Sequence, residues 1–234
     1  MDHRNELGRR WRIYSELTMI NLLIVGAGGF GREVLCWAED LARVRKDIRI
    51  SGFLDDNPKN FANKPDMPPI VGGFRNHNIQ PNEQLICAVG DPKVKIEVFA
   101  HWKKRGAKFF TLVHPSAIIG RRVEIGEGCI ICPNVVLTTD ITLGAVVTIN
   151  INSTVGHDAK IDTGSTLSAH TDVTGYASLA EGVFLGSHAV VAPKVKVGSY
   201  AKIGAGSVVF ANVNRGATML GVPARQIAGF EHGK

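Results

Sequence analysis

The chain has no apolar run long enough to cross a bilayer. Near the N-terminus the longest one, Met19 to Ala27, runs straight into glycines, well short of the roughly 20 residues a spanning helix needs. Neither a transmembrane helix nor a signal peptide is supported by that reading, and no membrane insertion is expected. Cysteine is scarce. There are 4 in 234 residues, and the single C-x-x-C, Cys129 and Cys132, has no second pair, so neither a disulfide framework nor a zinc or redox site is supported. The four read as structural thiols in a reducing, cytoplasmic setting, with no metal. Aromatic residues are 7 % of the chain, and there is no arginine-rich helix or aromatic-studded basic patch of the kind that binds nucleic acid. The formal charge of +6 therefore points to an anionic small molecule as partner.

What is present in quantity is a repeat. From Ala117 to Asn212 sixteen consecutive six-residue blocks, without an insertion, carry an aliphatic residue at the third position, beginning Ile119, Ile125, Ile131, Leu137 and ending Val197, Ile203, Val209. A short strand with one inward aliphatic per block and a small polar or glycine residue after it describes one side of a triangular parallel β-helix. Three blocks, eighteen residues, make one coil.

Ahead of the repeat the pattern is α/β. Ile20–Gly26 reads as a strand, Arg32–Val44 as a helix with Val34, Leu35, Ala38, Leu41 and Ala42 on one face, and Ile48 onward as a second strand. A Pro- and Asn-rich connection leads to the strand EQLICAVG, the helix PKVKIEVFAHWKKRG and a closing strand KFFTLVHP. These make a small parallel-sheet, Rossmann-like domain. The expected organisation is an appendage over residues 1–18, a Rossmann-like domain over 19–114, and a β-helix with a C-terminal cap over 115–234. Gly26, Gly28 and Gly31 form G-x-G-x-x-G between strand and helix, the context in which a helix N-terminus cradles phosphate. With about half the strands of a doubly wound fold, and Asp55 and Asp56 some ten residues late for a ribose-binding acid, a mononucleotide fits better than NAD.

Within the repeat, His157 and Asp158 occupy the fifth and sixth positions of their block, a corner that faces outward. The eighteen-residue period stacks Thr139, His157 and Gly175 in one column and Asp140, Asp158 and Tyr176 in the next, with coils about 4.8 Å apart. Asn152, His170 and His188 form another column, readable either as a histidine ladder or as plain surface. Lys194, Lys196, Lys202, Arg215 and Arg225 make the last coils basic, which suits a phosphorylated ligand.

The segments VGAGGFGREV, FLDDNP, AVGDP, INSTVGHD and GVPARQI, with the uninterrupted hexads, resemble the family of NeuD-like sialic-acid O-acetyltransferases and bacterial nucleotide-sugar N-acetyltransferases over about Met19 to Ile227. That resemblance implies a left-handed β-helix and a homotrimer with acetyl-CoA bound between neighbouring helices. It implies a nucleotide-linked 4-amino sugar held by Gly28, Gly29, Phe30, Asp55, Asp56 and Gly90. His157 matches the family's general base and Asp158 the carboxylate that raises its basicity, while Thr166, Gly175, Ser187 and Ala205 are the expected acetyl-CoA-binding positions. Two residues depart from the pattern: Thr166 stands where some members carry a second histidine near the thioester, and Phe30 where they carry a histidine in the glycine loop. The activity expected is acetyl-CoA-dependent N-acetylation of a nucleotide-linked amino sugar. Sugar O-acetylation and a non-catalytic nucleotide-binding scaffold are the alternatives.

Overall fold

The computed structural model describes residues 19–61 and 64–227; the expected appendage and the last residues of the expected cap lie outside them. Four parallel strands, β1 (Ile20–Val25), β2 (Ile48–Leu54), β3 (Ile70–Gly72) and β4 (Glu83–Cys87), form a sheet in the order β3-β2-β1-β4. Helix α1 (Gly29–Val44) follows β1 and α2 (Pro92–Lys104) follows β4. The α1 face buried on the core consists of Val34, Leu35, Trp37, Ala38 and Leu41, so helical periodicity located it; only its start differs, three residues early at Gly29. Asp91 caps α2, its carboxylate accepting from the N–H groups of Lys93 and Val94 at 2.9 and 3.0 Å, and Pro92 takes the first helical position, where no N–H is needed.

The segment expected to close this sheet does something else. Phe109 bridges Leu85, and the Phe110 N–H still bonds the Leu85 carbonyl, but the Leu112 N–H bonds Cys129 and the strand Leu112–Val113 pairs with Ile130–Ile131. The chain passes from one sheet to the other within three residues. An aromatic-rich run satisfies either ladder, and the first β-helix coil supplied the partner.

From there the chain winds as a left-handed parallel β-helix of hexapeptide repeats. Two-residue strands stack at eighteen-residue intervals into three sides: a Thr148 side (Ile130, Thr148, Thr166, Phe184, Lys202), a Thr154 side (Ile118, Val136, Thr154, Asp172, Val190, Val208) and a Lys160 side (Glu124, Thr142, Lys160, Ser178, Lys196). Every third-position aliphatic from Ile131 to Val209 is buried; Ile119, in the first coil, is 37 % exposed. The sixth residue of each block from Arg122 to Gly206 has φ between 48 and 75°, which is why Gly, Asn and Asp recur there. Val146 breaks that preference at φ 48°. It is 1 % exposed and packs with Leu23, Val25, Leu85, Val98, Trp102 and Phe109 of the α/β domain, so burial offsets an unfavourable backbone. An antiparallel pair, Thr218–Leu220 with Arg225–Ile227, covers the end of the Thr148 side.

Candidate functional site

The residues singled out in the sequence fall at two corners of the β-helix and at the carboxyl edge of the small sheet. At the first corner, between the Thr154 and Lys160 sides, the Nδ1 of His157 lies 2.8 Å from Asp158 Oδ2. A carboxylate only accepts, so this contact places the proton of the neutral imidazole on Nδ1 and leaves Nε2 with its lone pair. The two side chains are about half exposed. Gly175 lies directly under the ring: a Cβ there would stand 2.7 Å from His157 Nε2. Glycine one coil on thus makes room for the imidazole itself. Tyr176 meets the ring edge-on at 5.1 Å between centroids, and its N–H bonds the His157 carbonyl. One coil back, Arg122 donates to both oxygens of Asp140, which also accepts from Thr139; these contacts hold the Asp140 carboxyl down to about 2. Asp140 therefore keeps a negative charge one coil before the histidine block.

At the sheet edge the strand order reverses between β1 and β4, the switch point where open α/β sheets take ligands. Gly31 is fixed by the turn, since a Cβ would lie 2.0 Å from the Gly26 carbonyl oxygen. By contrast, Cβ atoms on Gly28 and Gly90 would meet nothing within 4 Å, and one on Gly29 only the tip of Arg32. The α1 N-cap, Gly28, offers no side-chain acceptor and the first turn holds no acid, so no side chain of the chain's own caps the first-turn N–H groups there. Asp55 accepts from the Ala27 N–H at 2.7 Å and from Asn57 and Asn60, bracing the glycine loop. Exposed Asp56 accepts from the Phe74 N–H at 2.8 Å. Phe30 turns back on its own helix, edge-on to Trp37 at 6.0 Å.

Ser187 and Ala205 lie at a different corner, between the Thr148 and Thr154 sides. They line a cavity of about 260 Å³ with Phe184, Lys202, Met219, Leu220 and Ile227. A second cavity, about 490 Å³, is bounded by Gly90, Asp91, Lys93, Gly182, Phe184, Tyr200 and Lys202. Phe184 and Lys202 line both, so the two cavities are neighbours on the Thr148 side. Tyr200 lies between Lys93 and Arg215, 5.9 and 5.7 Å from its ring, and its hydroxyl donates to Glu181. Thr166 is 4 % exposed; its hydroxyl accepts from Lys95 and donates to the Gly90 carbonyl. His170 and His188 stack with parallel rings 4.7 Å apart. Cys87, Cys129 and Cys132 are buried free thiols, pushed up by burial to about 12, about 11 and well above the ordinary value respectively. Among the described residues no cluster of histidine, cysteine and carboxylate side chains could hold a metal, and no helix is long and apolar enough to cross a membrane.

Residues 21–101 match the PglD N-terminal domain model, and residues 176–211 match the bacterial transferase hexapeptide model. The chain joins a PglD-type N-terminal domain to a hexapeptide-transferase β-helix. It is 32 % identical over 117 residues to UDP-N-acetylbacillosamine N-acetyltransferase of Bacillus subtilis, covering 48 % of this chain and 51 % of that one. It is 31 % identical over 97 residues to GDP-perosamine N-acetyltransferase of Escherichia coli, covering 42 % and 44 %. These alignments span about half the length of the curated relatives or less. The acetyltransferase domain of PglB from Neisseria gonorrhoeae superposes with a TM-score of 0.80 at 26 % identity, over 88 % of this chain and 99 % of that one. The same domain has been solved in complex with acetyl coenzyme A, at a TM-score of 0.73 and 25 % identity over 89 % of this chain and all of that one.

The sequence singled out the His157 corner, the glycine loop and the Ser187 corner; it drew no attention to Lys95, Phe184 and Tyr200, which the structure places beside them. Lys95 sits in a segment, PKVKIEVF, where alternate lysines read as a solvated helix face; only its 0 % exposure separates it from Lys93.

Proposed function

We propose that the protein is an acetyl-CoA-dependent N-acetyltransferase acting, in the cytoplasm, on the amino group of a nucleotide-linked amino sugar. The observation that carries this reading is the His157–Asp158 pair, a half-exposed imidazole with its proton assigned to the carboxylate side and its Nε2 lone pair over Gly175. Nε2 of His157 takes a proton from the sugar amine as nitrogen attacks the thioester carbonyl. Asp158 stabilises the imidazolium that results. The Gly175 N–H stabilises the oxyanion, and collapse breaks the C–S bond, the leaving thiolate recovering the proton from His157. An acyl-cysteine route is disfavoured because the three buried thiols are far from ionised at neutral pH.

In this reading Gly28, Gly29 and Gly90 receive the nucleotide diphosphate, the open N-terminus of α1 its charge, and Asp56 its base or ribose. Asp55 acts indirectly, through the loop it braces. Ser187 and Ala205 contribute to the acetyl-CoA groove with Phe184 and Lys202. Thr166 has its hydroxyl committed to Lys95 and Gly90, so it positions the site and does not hold the acetyl carbonyl. The names of the curated relatives, one UDP-linked and one GDP-linked, support a nucleotide-linked amino sugar as substrate, and the PglB complex supports acetyl-CoA as donor.

His157 and the Ser187 groove occupy different corners of the triangular helix and lie on different coils, both corners bordering the Thr154 side. That side exposes Ile118 at 63 % and half-buried Val136, Val190 and Val208. A homotrimer packed on it would bring the histidine corner of one copy toward the groove of the next and cover this apolar stripe. The test is transfer from labelled acetyl-CoA to UDP- and GDP-linked 4-amino sugars. An amide product resists hydroxylamine, whereas an ester, the mark of O-acetylation, is cleaved.

A further inference from the structure

Lys95 is the one lysine among the described residues whose side chain is wholly buried. It projects from α2 of the nucleotide domain onto the Thr148 side of the β-helix, where its ammonium meets three oxygens: Thr148 Oγ1 at 3.0 Å, the Ser165 carbonyl at 3.2 Å and Thr166 Oγ1 at 2.8 Å. Three donors meet three acceptors, and none is a carboxylate. A buried cation without a counter-ion is costly, so its geometry has to be held by these contacts alone. The consequence falls on Thr166. Its hydroxyl has one proton; since the ammonium can only donate to it, that proton goes to its other partner, the Gly90 carbonyl, 3.0 Å away. Gly90 is the residue with open space above it at the switch point.

We infer that Lys95 is a positioning residue: through the Thr166 hydroxyl, its ammonium anchors the Gly90 loop in the conformation that receives the nucleotide. This rests on the nucleotide reading given above. Loss of the Lys95 proton turns the amine into an acceptor, which lets the Thr166 hydroxyl rotate toward it and release Gly90. The groups facing Lys95 are Cys87 on β4, Cys129 and Cys132 on the first coils, and Asp91 at the α2 N-cap. Burial pushes all three thiols well above neutrality, while the same burial lowers Lys95 to about 8. Lysine is therefore the member of this cluster that titrates just above physiological pH, and the anchor weakens as pH rises through that value.

Two measurements test this on the intact chain. Hydrogen exchange of the 88–92 backbone without ligand, at pH 7, should be at least fivefold faster in Lys95→Met and in the near-isosteric Thr166→Val than in the parent, with Thr166→Ser restoring protection. Binding of UDP and of GDP between pH 7 and 9 should weaken at least threefold in the parent and stay flat, and weak, in Lys95→Met; titration of the nucleotide itself is common to both proteins. Unchanged 88–92 protection in both Lys95→Met and Thr166→Val would overturn the inference whatever binds. A loop that loosens as expected in a protein that binds neither diphosphate would instead remove the nucleotide assignment and leave the anchor standing. Equal pH dependence in parent and Lys95→Met would show that the ammonium's charge is not what holds the loop.

Discussion

At the scale of single residues the account turns on how little space surrounds the His157 ring. Gly175→Ala introduces a methyl 2.7 Å from Nε2, closer than any real contact, and because the histidine is half exposed the ring can swing outward without disturbing the coil. Steady-state kinetics should show kcat lowered by about 10²-fold with the melting temperature within a few degrees of the parent. A melting temperature lowered by more than ten degrees would mean that Gly175 is needed for the coil and not for the ring. Asp158→Asn keeps an acceptor oxygen for Nδ1–H but removes the charge that favours the imidazolium. Its kcat should fall about tenfold, with the acidic limb of the pH profile shifted to lower pH; an unmoved limb would detach Asp158 from the base. Asp140 is held by Arg122 and Thr139, and its lowered carboxyl means this part of the corner keeps its charge until pH falls toward 2.

At the scale of elements, α2 links the two halves through one buried ammonium, and its proton equilibrium provides a separate handle. In the folded protein Lys95 loses its proton near 8, against an ordinary value of 10.5. Between those values the unfolded chain binds more protons than the folded one, so stability rises with pH across that window, by on the order of 3 kcal/mol. Denaturant unfolding at pH 7.5 and 10 should show the rise in the parent and its absence in Lys95→Met; an equal rise in both would assign it to other groups. The hexad register was legible in the sequence because each inward aliphatic from Ile131 to Val209 recurs at a fixed interval, and the α1 face because Val34, Leu35, Ala38 and Leu41 follow helical spacing. The strand assigned to KFFTLVHP was half right, since local pattern cannot say which of two sheets a strand joins. Lys95 was illegible for a related reason: burial of a lysine depends on what packs over it, and Thr148 and Thr166 are 53 and 71 residues away.

At the scale of the whole molecule, the left-handed helix is a triangular prism that separates the His157 corner from the Ser187 groove by a full side, and the proposed assembly on the Thr154 side is what would bring them together. Val190→Glu places a charge in the middle of that stripe while leaving the inward Val191 untouched. Sedimentation should show a trimer for the parent and monomer for the variant at micromolar concentration, with acetyl transfer reduced at least 10²-fold and UDP or GDP binding retained, because the switch point of the small sheet lies within one copy. A monomeric parent protein with full activity would remove the shared site. The central claim, that His157 is the base for amide formation on a nucleotide-linked amino sugar, is tested most directly by comparing parent and His157→Ala in single-turnover transfer from labelled acetyl-CoA to UDP- and GDP-linked 4-amino sugars. The account predicts a hydroxylamine-stable product, formed about 10²- to 10⁴-fold more slowly by the variant with both substrates still bound. A variant that transfers at the parental rate across pH 6 to 9, or a parent that acetylates none of these amines, would contradict it.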